Sequence, residues 1–204
     1  MNKINKKIKF SIIAIFILLF SFFTGCLNNS SDEKTYSQDF VFNLLNGEQK
    51  NIRDFAGKIV LIDFTGANCG YCVPQMFALE QVYNTYDKND LSIISIFVWM
   101  ILGETVQDIN NIIVAYECKS PCDAENLFSH VNLREAKDYF DKEDGLELNW
   151  VIGYDDSEGT LYEKYGKDGI PYLLILDKKG NIYYTKAGYT DYNGLTEILD
   201  EIIN

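Results

Sequence analysis

Cys69 and Cys72 are separated only by Gly70 and Tyr71, and the sequence changes period across them. Residues 59–64 are Ile-Val-Leu-Ile-Asp-Phe, a short run rich in β-branched and aromatic types, which predicts a buried strand. Beyond Cys72, Met76, Leu79, Val82, Tyr83 and Tyr86 recur at helical spacing, which predicts an amphipathic helix over residues 72–87. The pair is therefore expected where a strand hands over to the first turn of a helix. There the first backbone N–H groups lack intrahelical partners and the macrodipole presents partial positive charge. A thiol that ionises near pH 8.5 when free does so at roughly 3.5–7.5 in such settings. Cys69, the more N-terminal and expected to be the more exposed, is placed to attack, and Cys72 to close the disulfide behind it. A bare CxxC also serves as half a zinc site or an ordinary disulfide; the strand before it and the helix after it favour redox chemistry.

Asp63 is the second residue that could do chemistry. An acid within a buried strand is costly unless it has a task or a partner. One reading makes it a buried general base; the other turns it to solvent at the strand edge.

Asp63-Phe64, Cys69-Gly70-Tyr71-Cys72 and Gly169-Ile170-Pro171, in this order, resemble the thioredoxin fold, and more closely its extracytoplasmic TlpA/ResA-like branch of thiol–disulfide oxidoreductases. The resemblance runs from about residue 39 to 204. It implies an α/β domain with a central mixed sheet flanked by helices, opened by an N-terminal β-hairpin, with an insertion in the crossover after the second core strand. It implies that Asp63, six residues before Cys69, lies beneath the disulfide, is held protonated by desolvation and relays a proton to Cys72. It implies a cis bond before Pro171, with Ile170, Gly70 and Tyr71 facing an extended substrate; a trans proline opening a strand is the alternative. No cofactor and no metal are implied. The expected partners are disulfide-containing exported proteins, apocytochromes among them, with a membrane thiol carrier as electron source and the protein acting as reductant. One departure is Asn68, where this branch usually carries tryptophan.

The N-terminus sets the compartment. Lys3, Lys6, Lys7 and Lys9 precede an apolar run over residues 10–23 and then Thr24-Gly25-Cys26, the layout of an export signal. Cys26 after small residues resembles a lipoprotein processing site, which implies its acylation; an uncleaved membrane helix is the alternative. Either places the domain outside the cytoplasm, anchored to the cell membrane. Residues 27–38, polar and poor in aliphatics, are expected to be a flexible linker, with the domain over 39–204. Outside the first 25 residues the chain carries 14 basic against 30 acidic residues. That balance argues against nucleic acid as a partner and for a soluble surface.

Within the domain, residues 40–45, an Asn46-Gly47 turn and a return through Ile52 read as a hairpin, and residues 53–57 as a short helical turn. Residues 91–99 read as a second buried strand, parallel to the first. Residues 104–116 and 133–141 have helical spacing, and between them lie Cys118, Cys122 and the sole histidine, His130, in a stretch read as an insertion over 118–132. If Cys26 is lipidated, four cysteines remain, and they pair naturally as 69–72 and 118–122. Cys118 and Cys122 have three readings: a loop disulfide, a second redox pair relaying electrons, or part of a four-cysteine metal site. His130 reads as an ordinary loop residue. Residues 150–154, 157–165, 172–176, 181–186 and 192–203 then read as strand, helix, strand, strand and helix.

Two other functions share these residues. A thiol peroxidase of this fold would need threonine or serine three residues before its reactive cysteine, where this chain has Gly66. A non-enzymatic thiol-binding or metal-delivery module would leave Cys69 inert.

Overall fold

In the computed structural model, which describes residues 36–117 and 146–203, the domain opens with the expected hairpin, β1 (Val41–Leu44) and β2 (Gln49–Asn51). Gly47 closes its turn at φ +85°, a conformation that only glycine adopts without cost. A 3₁₀ turn over Ile52–Phe55 follows, capped by Asn51 and Asp54. Next come β3 (Ile59–Thr65), α1 (Cys72–Thr85), β4 (Leu91–Phe97) and a second 3₁₀ turn, Trp99–Leu102. The chain continues as α2 (Val106–Glu117), β5 (Val151–Tyr154), a π-type turn over Tyr162–Gly166, β6 (Tyr172–Leu176), β7 (Ile182–Ala187) and α3 (Tyr192–Ile203). The chain divides into two units, Met1–Lys34 and Thr35–Asn204, and the described residues belong to the second.

The strands form one sheet in the order β2-β1-β5-β4-β3-β6-β7. β3 pairs in parallel with β4, and β4 with β5, as strand–helix–strand connections require; β6 runs antiparallel to β3. All seven residues of β3 are buried, so its side chains divide by alternation between two core layers. Ile59 and Leu61 join Val73, Met76, Leu79 and Val82 of α1, with Ile109 and Ile112 of α2 and Leu195 and Leu199 of α3. Val60, Ile62 and Phe64 join Phe42, Ile52, Leu161 and Tyr165 in the second layer. Phe64 stacks on Tyr165 with ring centroids 4.8 Å apart.

Several boundaries differ from expectation. β4 stops at Phe97, and Trp99 leaves the sheet in a turn whose base is held by Val98 N–H donating to Thr65 O at 3.0 Å. The helix expected over 157–165 starts three residues later and is wound wide: residues 160–161 are α-helical and Tyr162–Gly166 π-type, with the Asp155 carboxylate taking the first free N–H groups at Leu161 and Tyr162. The linker expected over 27–38 ends earlier: Tyr36 is buried against Gly180, Ser37 N–H donates to Lys179 O at 3.0 Å, and Gln38 Oε1 accepts from Tyr165 Oη. The anchor segment with Cys26, the insertion with Cys118, Cys122 and His130, and the helix expected over 133–141 lie outside the described residues.

Asp155 fixes the segment that leads to Ile170. It is 1% exposed, and its carboxylate accepts N–H bonds from Leu161 at 2.9 Å and Tyr162 at 2.8 Å. Asp155→Ala leaves those donors unpaired and is expected to destabilise the domain by about 1–3 kcal/mol, read as a lowered urea midpoint at unchanged slope.

Candidate active site

β3 ends at Thr65, and the chain turns through Gly66–Tyr71 into α1. Cys69 N–H donates to Gly66 O at 3.3 Å and Cys72 N–H to Cys69 O at 3.1 Å, so the two cysteines lie on one turn of backbone. Their sulfurs are joined in a disulfide, S–S 2.08 Å. Cys72 is the first residue of α1, whose first turn carries no acidic side chain to offset the positive end of the dipole. Pro74 sits in that turn, where its missing N–H costs little. Cys69 retains 6% exposure and Cys72 none, the order expected for an attacking and a resolving sulfur, although Cys69 is more enclosed than the sequence suggests. Tyr71 stands 63% exposed between them in sequence, and Asn68 and the half-buried Gly70 complete the rim.

The other wall comes from a segment a hundred residues on. Because β6 runs antiparallel to β3, with Phe64 opposite Tyr172, the residues just before β6 lie beside the end of β3. The Ile170–Pro171 peptide is cis, and Ile170 O lies 3.8 Å from Cys69 Sγ.

Asp63 occupies the alternate positions of β3 shared with Ile59 and Leu61, the set that packs beneath α1, and not the strand edge. It is fully buried, and neither carboxyl oxygen has a hydrogen-bond partner. Desolvation pushes its pKa up from 3.8 to about 8. Across the sheet it faces Ser95 of β4, whose hydroxyl is taken by Met76 Sδ and Trp150 Nε1.

Two site residues escaped sequence reasoning. Glu104, 7% exposed, reaches back from the segment after β4, and its Oε1 accepts the Ala67 N–H at 2.5 Å, tying down the loop ahead of Cys69. Burial pushes its carboxyl up to about 7 against the opposing pull of the Ala67 and Asn68 amides. Its signal was a lone acid in the apolar stretch after β4. The second is Gln75, one turn beyond Cys72 and 1% exposed, whose Oε1 accepts the Thr190 N–H at 2.9 Å and joins α1 to the loop before α3. Among the described residues, no group of three or more His, Cys, Asp or Glu side chains is placed to hold a metal ion.

A carboxyl held neutral in the fold stabilises it fully below pH 4, and that contribution is lost as pH rises toward 8. For the oxidised protein, Asp63→Asn is expected to flatten the fall in unfolding free energy between pH 4 and pH 8, an effect on the order of a few kcal/mol. Urea titrations at those two pH values measure it.

The Redoxin family matches residues 32–199. The thiol-disulfide oxidoreductase ResA of Geobacillus thermodenitrificans is 27% identical over 164 residues, 80% of this chain and 74% of that protein. A glutathione peroxidase of Lactococcus lactis is 38% identical over 56 residues, 28% of this chain and 35% of that protein. Among solved structures, the exposed lipoprotein thioredoxin of Streptococcus pneumoniae superposes with a TM-score of 0.53 at 20% identity, covering 80% of this chain and 99% of that one. The fold is thus thioredoxin-like, with Cys69 and Cys72 joined in a disulfide at the start of α1. The chain belongs to the Redoxin family, as a ResA-like thiol–disulfide oxidoreductase.

Proposed function

We propose that the protein is a membrane-tethered reductant of disulfides in exported proteins. The observation that carries this reading is the Cys69–Cys72 pair at the start of α1 with the Ile170 carbonyl 3.8 Å from the outer sulfur. In the dithiol form, the Cys69 thiolate attacks one sulfur of the partner's disulfide, a mixed disulfide forms, and the partner's other sulfur leaves as a thiolate and takes up a proton. Asp63, ionised at that point, accepts the Cys72 proton; the Cys72 thiolate attacks Cys69 Sγ and expels the partner's remaining thiolate. The partner gains two electrons and two protons, and the Cys69–Cys72 disulfide is the oxidised product. A membrane thiol carrier returns it to the dithiol.

Gly70, Tyr71, Ile170 and Pro171 form the surface against which the partner chain lies. Cys26, acylated, is the tether, and its supports are the signal layout of residues 1–26 and the likeness to a lipoprotein of the same fold. Apocytochromes are the partner class suggested by the resemblance to the ResA branch. Among the described residues no helix is long and apolar enough to cross a membrane.

The local likeness to a glutathione peroxidase raises a second reading, and Gly66 weighs against it. A Cβ at residue 66 would lie 2.8 Å from Trp99 Cε3 and 2.9 Å from Ile170 Cδ1, leaving no space for the threonine or serine that a thiol peroxidase of this fold would need three residues before its reactive cysteine.

Insulin reduction with dithiothreitol as electron source tests the exchange. Cys69→Ser is expected to abolish activity above the uncatalysed rate, and Cys72→Ser to accumulate a mixed disulfide visible by mass. Equal activity in wild type and Cys69→Ser overturns the reading. Asp63→Asn is expected to leave mixed-disulfide formation intact and to slow its resolution about 10²-fold or more, removing the rise in rate that wild type shows as pH approaches 8.

A further inference from the structure

Asn68, the residue before Cys69, is polar and exposed, so on that side of the reactive sulfur the loop's one ring, Tyr71, is not joined by a second from residue 68. A ring arrives from elsewhere. Trp99 stands on the turn after β4, and its contacts are defined by Gly66: a Cβ there would meet Trp99 Cε3 at 2.8 Å, Trp99 Cδ2 at 2.9 Å and Ile170 Cδ1 at 2.9 Å. The indole and the Ile170 side chain therefore converge on the same face of Gly66, and both pack on the second core layer while remaining half-exposed.

The support beneath the indole is rigid. Val98 N–H donates to Thr65 O at 3.0 Å, fixing the turn to the end of β3, and Trp99 O accepts Glu104 N–H at 3.1 Å. Glu104 in turn holds the Ala67 N–H, so the turn and the cysteine loop are cross-linked at both ends. No residue of the Trp99–Leu102 turn is buried, and Leu102 is 61% exposed. An apolar turn held rigid and left open beside a reactive sulfur is the signature of a contact surface.

We propose that Trp99 is a specificity-determining residue of the exchange: with Ile170 it forms an apolar wall that receives the side chain next to the partner's disulfide-bonded cysteine, and it selects partners with an aromatic or branched apolar residue there. The inference rests on the exchange reading above. A partner sulfur bonded to Cys69 must lie within reach of the Ile170 carbonyl, and a polypeptide passing Ile170 comes alongside the ring that shares the same face of Gly66. Trp99 contacts no reacting atom, so its effect falls on binding and not on the sulfur chemistry.

The test uses the full chain, reduced with dithiothreitol, and three substrates: two peptides with one disulfide each, identical except for Phe or Ser beside the cysteine, and bis(2-hydroxyethyl) disulfide. Wild type is expected to favour the Phe peptide about tenfold in kcat/KM, carried by KM, the worth of one well-packed aromatic contact. Trp99→Ala is expected to abolish the preference, Trp99→Phe to keep most of it, and all three proteins to turn over bis(2-hydroxyethyl) disulfide alike, which also shows that the variants fold. A preference missing from wild type, or one that survives in Trp99→Ala, overturns the proposal. So does a parallel loss on all three substrates, which would make Trp99 a support for the fold. A wild-type protein inactive on bis(2-hydroxyethyl) disulfide would overturn the exchange reading itself, and this inference with it.

Discussion

Complete burial of β3 is the constraint on which the rest depends. A strand covered on both faces must send alternate side chains into two separate apolar layers, and each layer needs its own cover. Helices α1, α2 and α3 contribute to one layer, and the hairpin region and the Tyr162–Gly166 turn to the other. The strand's carboxyl end is then the one place where its chain must emerge from between them. The cysteine loop is that emergence, and α1 begins there because the chain has to return over the layer it has just supplied. The pair thus sits at a helix start through the geometry of a parallel crossover, and the parity of β3 puts an unpaired carboxyl in the layer that α1 covers.

Asp63 shows how directly position becomes chemistry. Its parity in β3 commits it to the layer beneath α1, where water cannot reach it and no donor is offered. The neutral acid's contribution to stability fades as pH rises, and on the proposed exchange it is the group that takes the proton of the resolving thiol. On that proposal, stability and turnover would respond to the same residue with opposite sign, a common arrangement at sites that trade one for the other.

Much of this was legible in the sequence. The apolar run before Gly66, the period change after Cys72 and the Asn46-Gly47 turn each carry a local signal strong enough to place β3, α1 and the hairpin within a residue or two. The helix over residues 104–116 was placed by its spacing too. What escaped depends on contacts between distant segments. Trp99 reads as the end of an apolar strand, and only the end of pairing at Phe97 shows it to be part of the rim. Glu104 reads as an ordinary helix start, and its bond to Ala67 has no local trace. The short helix at residues 160–166 was placed three residues early, because its start is set by Asp155, outside the periodic window, which takes its first free N–H groups. Tyr36 to Gln38 look like linker by composition and are held by partners more than a hundred residues away.

The antiparallel placement of β6 against β3 carries a consequence for the timing of activity. The thiols and the helix start are local, complete once the chain has been made as far as α1. The Ile170 carbonyl that would hold a partner depends on β6, which pairs with β3 only after a long stretch of intervening chain. An emerging or partly refolded chain would own the sulfurs without the cradle, and so would lack a place to hold a client while its tail was still unpaired.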